Sequence, residues 1–313
     1  MAIRNSRKIG IPMVNLRLGG GAPVDERFII SVKTDNTGTS NNDQFTLPWT
    51  GDYDVDWGDG VTDTGQSGSS THTYAAAGTY EIAVTPTNAC RILFNNGGDR
   101  QKLLEVKNWG TGQWSTMGNA FYGCNNMQVT ATDAPDLSNT LGNMQTMFRG
   151  CIVLLGASSF GSWTFPASTR ADNMFRSCQA FNADLSTWDT STFTRFDQMF
   201  MDCDAFNSPI GVWNTSNVTN VNNMFNKNNF AFDQNLANWD VTSITTGTRF
   251  LSSSGISTLN YDNTLIGWAA QSITNSFTMD FGNSKYTLGG AAEAARTTLV
   301  TTYGWTIVDG GGI

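Results

Sequence analysis

Four cysteines, Cys124, Cys151, Cys178 and Cys203, carry the most obvious chemical potential in the chain, since four thiolates can hold zinc or pair as disulfides. Their steps of 27, 27 and 25 residues match no compact zinc pattern. Each stands at the same place in a recurring block, and the next two blocks carry Asn228 and Ser254 there. A ladder of small buried residues is therefore the expectation. Cys90 lies outside the blocks, and five cysteines cannot all pair within one chain.

Carboxylates come next. Asp52, Asp54, Asp56, Asp59 and Asp63 crowd one turn, and Asp54, Asp56 and Asp59 are candidate calcium ligands, although the Gly and Glu positions of an EF-hand loop are absent. Turn and surface roles are the expectation for these residues ahead of calcium binding. The single histidine, His72, excludes chemistry that needs two, and packing is its expected role. No G-x-S-x-G, phosphate-binding loop or H-E-x-x-H pattern occurs. Asp184, Asp189, Asp204 and Asp240 are available for a glycosidase-type pair, but that chemistry depends on a separation in space which chain spacing does not give. No catalytic residue and no cofactor beyond the calcium candidate is assigned, and a non-enzymatic chain is expected.

The elements that hold these residues follow from composition and period. Of the 313 residues only 14% are charged, Phe, Trp and Tyr number 19, 10 and 7, and the rest is rich in Gly, Asn, Ser and Thr. That balance favours short strands and turns, so a mainly β fold is expected. From Phe28 to Thr87 the runs FIISV, FTLPW, YDVDW and YEIAV are strand-length and separated by polar stretches, the pattern of an antiparallel sandwich. Beyond Leu103 a repeat dominates. The blocks GNAFYGC, QTMFRGC, DNMFRSC, DQMFMDC, NNMFNKN and TRFLSSS align on Phe121, Phe148, Phe175, Phe200, Phe225 and Leu251. A second ladder runs through Trp163, Trp188, Trp213 and Trp239, and a third through Phe160, Leu185, Ile210 and Leu236, each three residues before its Trp. One unit is too short to bury its own apolar face, so stacked copies with a continuous core are expected.

Two resemblances attach to these patterns. The run Asp54-Val55-Asp56-Trp57-Gly58-Asp59-Gly60, followed by Thr71-His72-Thr73-Tyr74 and Gly78-Thr79-Tyr80-Glu81-Ile82, resembles the PKD domain, an Ig-like sandwich of cell-surface and extracellular proteins. In such a domain Trp57 fills the core, Asp59-Gly60 makes a tight turn, and His72 and Tyr74 lead into the strand that ends near Val84. Units such as MFMDCDAFNSPIGVWNTSNVTNVNNMF resemble the BspA-type leucine-rich-like repeats of bacterial and phage surface proteins, over about residues 103 to 254. The first two blocks depart from that pattern, since GNAFYGC lacks Met and no Trp lies between 115 and 162, so irregular first turns are expected.

The expected organisation is a basic arm (1–24), a PKD-like β-sandwich (25–90), a leucine-rich-like repeat solenoid (91–255) and a short helical cap (256–313). The cap is read from the helical spacing of YDNTLIGWAAQ and AAEAARTTLVTTYGW. Arg4, Arg7, Lys8 and Arg17 give the arm a charge of +4, so the −8 of the whole chain leaves −12 on residues 25 to 313. A body this acidic repels nucleic acid, and the arm is a candidate anchor on an acidic partner. No window reaches the roughly 20 apolar residues of a membrane span, and the N-terminus lacks the apolar core and cleavage site of a secretory signal. Surface-type domains without an export signal, together with the family resemblance, imply a phage virion protein, a fibre or head decoration held by its arm among other virion proteins and touching a host-surface glycan or protein. A bacterial surface adhesin is the alternative, and a polysaccharide-degrading tail protein a third. A fibre implies a trimer, yet no heptad pattern is present to drive one.

Overall fold

The computed structural model describes residues 25–227, 231–252 and 255–313. Arg4, Arg7, Lys8 and Arg17 lie outside the described residues, as do Asn228 and Ser254. The chain is mainly β, with several sheets and, among the described residues, two α-helices.

The N-terminal strands are β1 (Phe28–Lys33), β2 (Gln44–Leu47), β3 (Trp49–Thr50), β4 (Asp52–Asp56), β5 (Thr62–Ser67), β6 (Ser70–Thr73), β7 (Thr79–Pro86), β8 (Arg91–Ile92), β9 (Leu103–Asn108) and β10 (Gln128–Val129). Six of them form one sheet in the order β10-β9-β1-β7-β4-β5, while β2 pairs with β6 and β3 with β8. The run FIISV is buried along its whole length because β1 is central, paired antiparallel with β7 on one side and β9 on the other. In β4 burial alternates, with Tyr53 and Val55 facing inward. The edge strand β5, TDTGQS, is polar and lacks buried residues, which protects the sheet from edge pairing.

Hydrogen bonds cross the expected domain boundary at residue 90. Ile92 of β8 pairs with Trp49 of β3, and Leu103 to Asn108 of β9 pair with Val32 to Ile29 of β1. The physical reason is that β1 is buried, so the backbone N–H and C=O groups on both of its edges need partners, and the sheet recruits a strand from beyond the boundary. The sheet then hands over to the repeats, because β10 pairs with β9 in parallel. One continuous apolar core runs from Phe28 to Trp305.

Parallel pairing links the repeat units. Strands β11 (Thr169–Arg170) and β12 (Phe193–Arg195) pair in parallel, and single parallel bridges extend the line through Asn143–Arg170, Arg195–Asn220 and Asn220–Thr246. Two residues before each aligned Phe or Leu the backbone is left-handed, with φ of 59° at Asn119, 60° at Thr146, 59° at Asn173, 58° at Gln198, 56° at Asn223 and 55° at Arg249. One such residue per unit, often Asn, turns the chain at the same place each time.

Helices α1 (Thr258–Ala269) and α2 (Ala291–Thr301) form where the helical spacing lies, and each turns an apolar stripe inward: Tyr261, Leu265 and Trp268 from α1, Ala292, Ala295 and Leu299 from α2. Instead of closing the stack, the segment expected as a cap continues it. Leu251 N–H donates to Asp280 O at 2.9 Å, and Phe281 N–H donates to Val308 O at 2.7 Å, repeating the bond that joins Phe225 to Phe250 at 3.0 Å. Strands β13 (Thr278–Asp280) and β14 (Thr306–Val308) pair in parallel. Residues 256–313 therefore add further units in which a helix replaces a turn.

Candidate functional site

The tryptophan and cysteine ladders are tied from unit to unit by hydrogen bonds to backbone carbonyls inside the stack. The indole N–H of each Trp donates to the carbonyl of the third-ladder residue one unit earlier: Trp188 to Phe160 at 2.6 Å, Trp213 to Leu185 at 2.9 Å and Trp239 to Ile210 at 2.9 Å. This explains why the two ladders keep register. The same bond recurs from Trp268 to Leu236 at 2.8 Å and from Trp305 to Asn275 at 2.9 Å, two ladder members that sequence reading missed. At the irregular start, the indole nitrogens of Trp109, Trp114 and Trp163 are buried with no partner.

The aligned phenylalanines stack face to face. Ring centroids are 5.5 Å apart for Phe121 and Phe148, 5.6 Å for Phe148 and Phe175, 5.7 Å for Phe175 and Phe200, and 5.9 Å for Phe200 and Phe225. A parallel column, Phe181, Phe206 and Phe232, stacks at 6.2 Å spacings. The cysteines lie beside these rings, free and buried. Their thiols donate to Phe carbonyls one unit earlier: Cys151 to Phe121 at 3.3 Å, Cys178 to Phe148 at 2.9 Å and Cys203 to Phe175 at 2.9 Å. Burial raises the thiol pKa of Cys124, Cys151, Cys178 and Cys203 well above the ordinary value and that of Cys90 to about 12. Nucleophilic or metal-binding thiolates need the opposite shift.

The aspartates of the calcium candidate are used locally. Asp54 accepts from Gly65 N–H at 2.7 Å, Asp56 from Gly58 N–H at 2.9 Å, and Asp59 from Val61 N–H at 3.0 Å. The other oxygen of Asp59 meets His72 Nε2 at 2.8 Å. His72 lies flat on Trp57 at 4.9 Å and meets the edge of Tyr74 at 4.6 Å, so its position is a packed one. Trp57 is buried, and Tyr74 donates to its carbonyl at 3.1 Å. Among the described residues no three His, Cys, Asp or Glu side chains converge as a metal-ligating group.

The aspartates weighed for acid and base chemistry serve mainly as turn acceptors. Asp184 takes the N–H of Ser186 at 2.9 Å, Asp189 that of Ser191 at 3.0 Å, and Asp240 that of Thr242 at 2.9 Å, with Asn214 doing the same for Ser216 at 3.1 Å. The bonds from Ser186 and Ser191 hold Asp184 and Asp189 below the usual carboxylate range, the reverse of what a general acid requires. Asp204 is shifted upward, by burial first and by Asp202 second.

The outer faces carry ladders of their own. Asn182 Oδ1 accepts from Asn207 N–H at 2.9 Å, Asn207 Oδ1 from Asp233 N–H at 2.9 Å, and Asp233 from Ser257 N–H at 2.8 Å. On another face Arg170 meets Asp172 at 3.3 Å and Arg195 meets Asp197 at 2.8 Å. The F-N and R-x-D recurrences in the sequence were the signal for both rows.

One family model matches the repetitive region. Residues 142–268 match a family described as Mycoplasma protein of unknown function, DUF285. The chain is similar to that family from the second aligned block to Trp268, the residue at which α1 completes the next indole bond. No curated protein and no solved structure matches the chain.

Proposed function

We propose that the chain is a non-enzymatic virion protein of a phage, displayed as a fibre or head decoration and serving host-surface attachment. In this reading residues 25 to 108 are a PKD-like, Ig-like sandwich, and the stack beyond them is a BspA-type leucine-rich-like solenoid. The observation that carries the reading is the fate of the chemically capable side chains. Indoles and thiols are spent on unit-to-unit bonds in the core, and the turn aspartates on local N–H groups, which leaves long polar faces on the outside. A rigid stack is suited to presenting a surface.

The basic residues Arg4, Arg7, Lys8 and Arg17 are proposed to anchor the chain on an acidic virion partner, with a glycan or protein of the host surface as the outward partner. Among the described residues no helix is long and apolar enough to cross a membrane. Mass spectrometry of purified particles is the test: the protein is expected among the virion components, and its absence from them defeats the reading. A chain lacking residues 1–24 should fold but fail to incorporate.

A second reading, a bacterial surface adhesin, is favoured by the match to a family described from Mycoplasma. Surface labelling of intact cells would then recover the protein where particles do not.

A further inference from the structure

The acidic charge of the body is concentrated in the sandwich. Residues 25–86 hold ten Asp and Glu against Arg27 and Lys33, a charge of −8, so only −4 of the −12 on residues 25 to 313 lies beyond them. The segment just before, residues 1–24, is its opposite in charge. It carries Arg4, Arg7, Lys8 and Arg17 and no acidic residue, with Ile9, Ile11 and Leu16 among them.

Part of that charge faces away from the core on the six-stranded sheet. Tyr53 and Val55 of β4 and Ile82 and Val84 of β7 belong to the core, so Asp54, Asp56, Glu81, Ala83 and Thr85 share the opposite face. Pairing sets Asp54 against Thr85 and Asp56 against Ala83. An open hollow of about 270 Å³ lies there, lined in part by Asp54, Asp56, Thr64, Ala83 and Thr85.

Its two carboxylates are only half used. Asp54 Oδ1 accepts from Gly65 N–H at 2.7 Å and Asp56 Oδ1 from Gly58 N–H at 2.9 Å, while the second oxygen of each has no partner among the described residues. Glu81, on the same face, is instead paired with Lys107 at 2.8 Å. Arg27 also lines the hollow and is drawn by the charge of Asp56, but its Nε and Nη2 donate to Asp25 at 2.9 and 2.6 Å. The hollow suits a cation carried on an aliphatic stem: the methyl groups of Ala83 and Thr85 can meet the stem, and the free carboxylate oxygens its charged head.

We propose that residues 1–24 dock on this face of their own chain in the free protein and seat an arginine or lysine head against Asp54 and Asp56. The tether is short. Arg17 stands eight residues before Asp25, so it can reach about 29 Å at most, and Arg27, just beyond, already lines the hollow. Gly19, Gly20 and Gly21 permit the reversal in between. A short flexible tether gives an effective concentration in the mM range, so the chain's own basic segment outcompetes that of a second copy. An anchoring partner must then displace the segment, and attachment uncovers the hollow. The inference goes beyond the anchoring reading and holds whether or not that partner is a virion protein.

Limited trypsin digestion of the full chain, followed by intact mass, reads the segment directly, since trypsin cuts after Arg4, Arg7, Lys8 and Arg17. At low salt, Asp54→Asn with Asp56→Asn should speed loss of the segment about tenfold or more, the scale of charged hydrogen bonds removed. Asparagine keeps the oxygens that accept from Gly65 and Gly58, so the melting temperature should hold. Asp184→Asn with Asp189→Asn makes the same charge change on the stack and should leave the rate within about twofold. Thr85→Lys, which puts a tethered cation into the hollow, should release the segment without touching either aspartate. Salt raised to about 0.5 M should bring the unaltered chain to the rate of the first variant. Equal rates in the unaltered chain and the Asp54/Asp56 variant, equal effects of the two aspartate pairs, or protection that rises with protein concentration, the mark of a second copy's segment, would each overturn the proposal. Because the assay uses isolated protein, its failure removes the docked segment while particle composition decides the virion location separately.

Discussion

The indole N–H of Trp213 donates to the carbonyl of Leu185 at 2.9 Å, and that same carbonyl receives the backbone N–H of Trp188 at 3.2 Å. Trp163 is just as buried, at 2% exposure for both residues, but its indole nitrogen has no partner. Replacing either with Phe removes a similar apolar area, so the difference isolates the bond. Trp213→Phe should lose about 1 kcal/mol more than Trp163→Phe, the net value of a buried hydrogen bond, since Leu185 O keeps its backbone donor. Urea unfolding at constant m-value measures it; equal losses would show that the indole bond adds nothing.

The thiols give a prediction in pH. Burial raises all five cysteine pKa values in the folded chain, that of Cys90 to about 12, whereas an unfolded thiol titrates near 9.0. Above that value the unfolded chain releases protons that the folded one retains, so stability falls as pH rises from about 9 and is unaffected by these groups at neutrality. A disulfide reagent at pH 8 should find no thiol in the folded protein and five in urea. Rapid labelling of the folded chain would contradict the buried ladder.

The regular units were legible because each level repeats its residue types at steps of 25 to 27, and the pairing of Trp213 with Leu185 is written twice, as two ladders in register. Trp268 and Trp305 belong to the same indole series but were hidden, because α1 and α2 lengthen the steps to 29 and 37 residues and the helical period displaces the repeat signal. The pairing of β9 with β1 was equally invisible. LLEVKN is strand-like on its own, yet nothing local says that Leu103 will sit opposite Val32.

Asp99 and Lys102, both side chains fully buried and 4.0 Å apart, tie the 34–46 loop to the sheet. The Asp99 carboxylate accepts from Thr39 N–H at 2.9 Å, Ser40 N–H at 3.0 Å and Thr46 N–H at 2.7 Å, while Lys102 donates to the carbonyls of Ser40, Asn41 and Gln44. Burial pushes the Asp99 carboxyl up, but the Ser40 and Thr46 bonds and the Lys102 charge outweigh it and hold it below the usual range. A depressed carboxyl contributes stability that is complete above its unfolded value and is lost as pH falls through its folded one, so this site weakens only in acid. Asp99→Ala leaves a buried ammonium without its counter-charge and should cost about 3–5 kcal/mol by denaturant unfolding. A loss below about 1 kcal/mol would mean that water reaches the pair.

Gly267, one residue before Trp268 in α1, tests whether that helix is a true level of the stack. A Cβ there would come within 2.4 Å of Ala237 O and 2.7 Å of Ala237 Cα, backbone atoms that cannot swing away. In an unconstrained helix Gly→Ala is favourable by about 1 kcal/mol. The close approach reverses the sign, so Gly267→Ala should destabilise the protein and lift α1 from the unit of Trp239. Hydrogen exchange should then report lost protection in residues 258–313, with β1, β7 and β9 unchanged. Gly290→Ser is the contrast: nothing lies within 4 Å of that residue, which precedes α2, and Ser is a favourable helix cap, so it should be neutral or slightly stabilising. If Gly267→Ala instead stabilises the chain as it would a free helix, α1 is not seated on Ala237 and the indole bond from Trp268 to Leu236 does not hold that level in place.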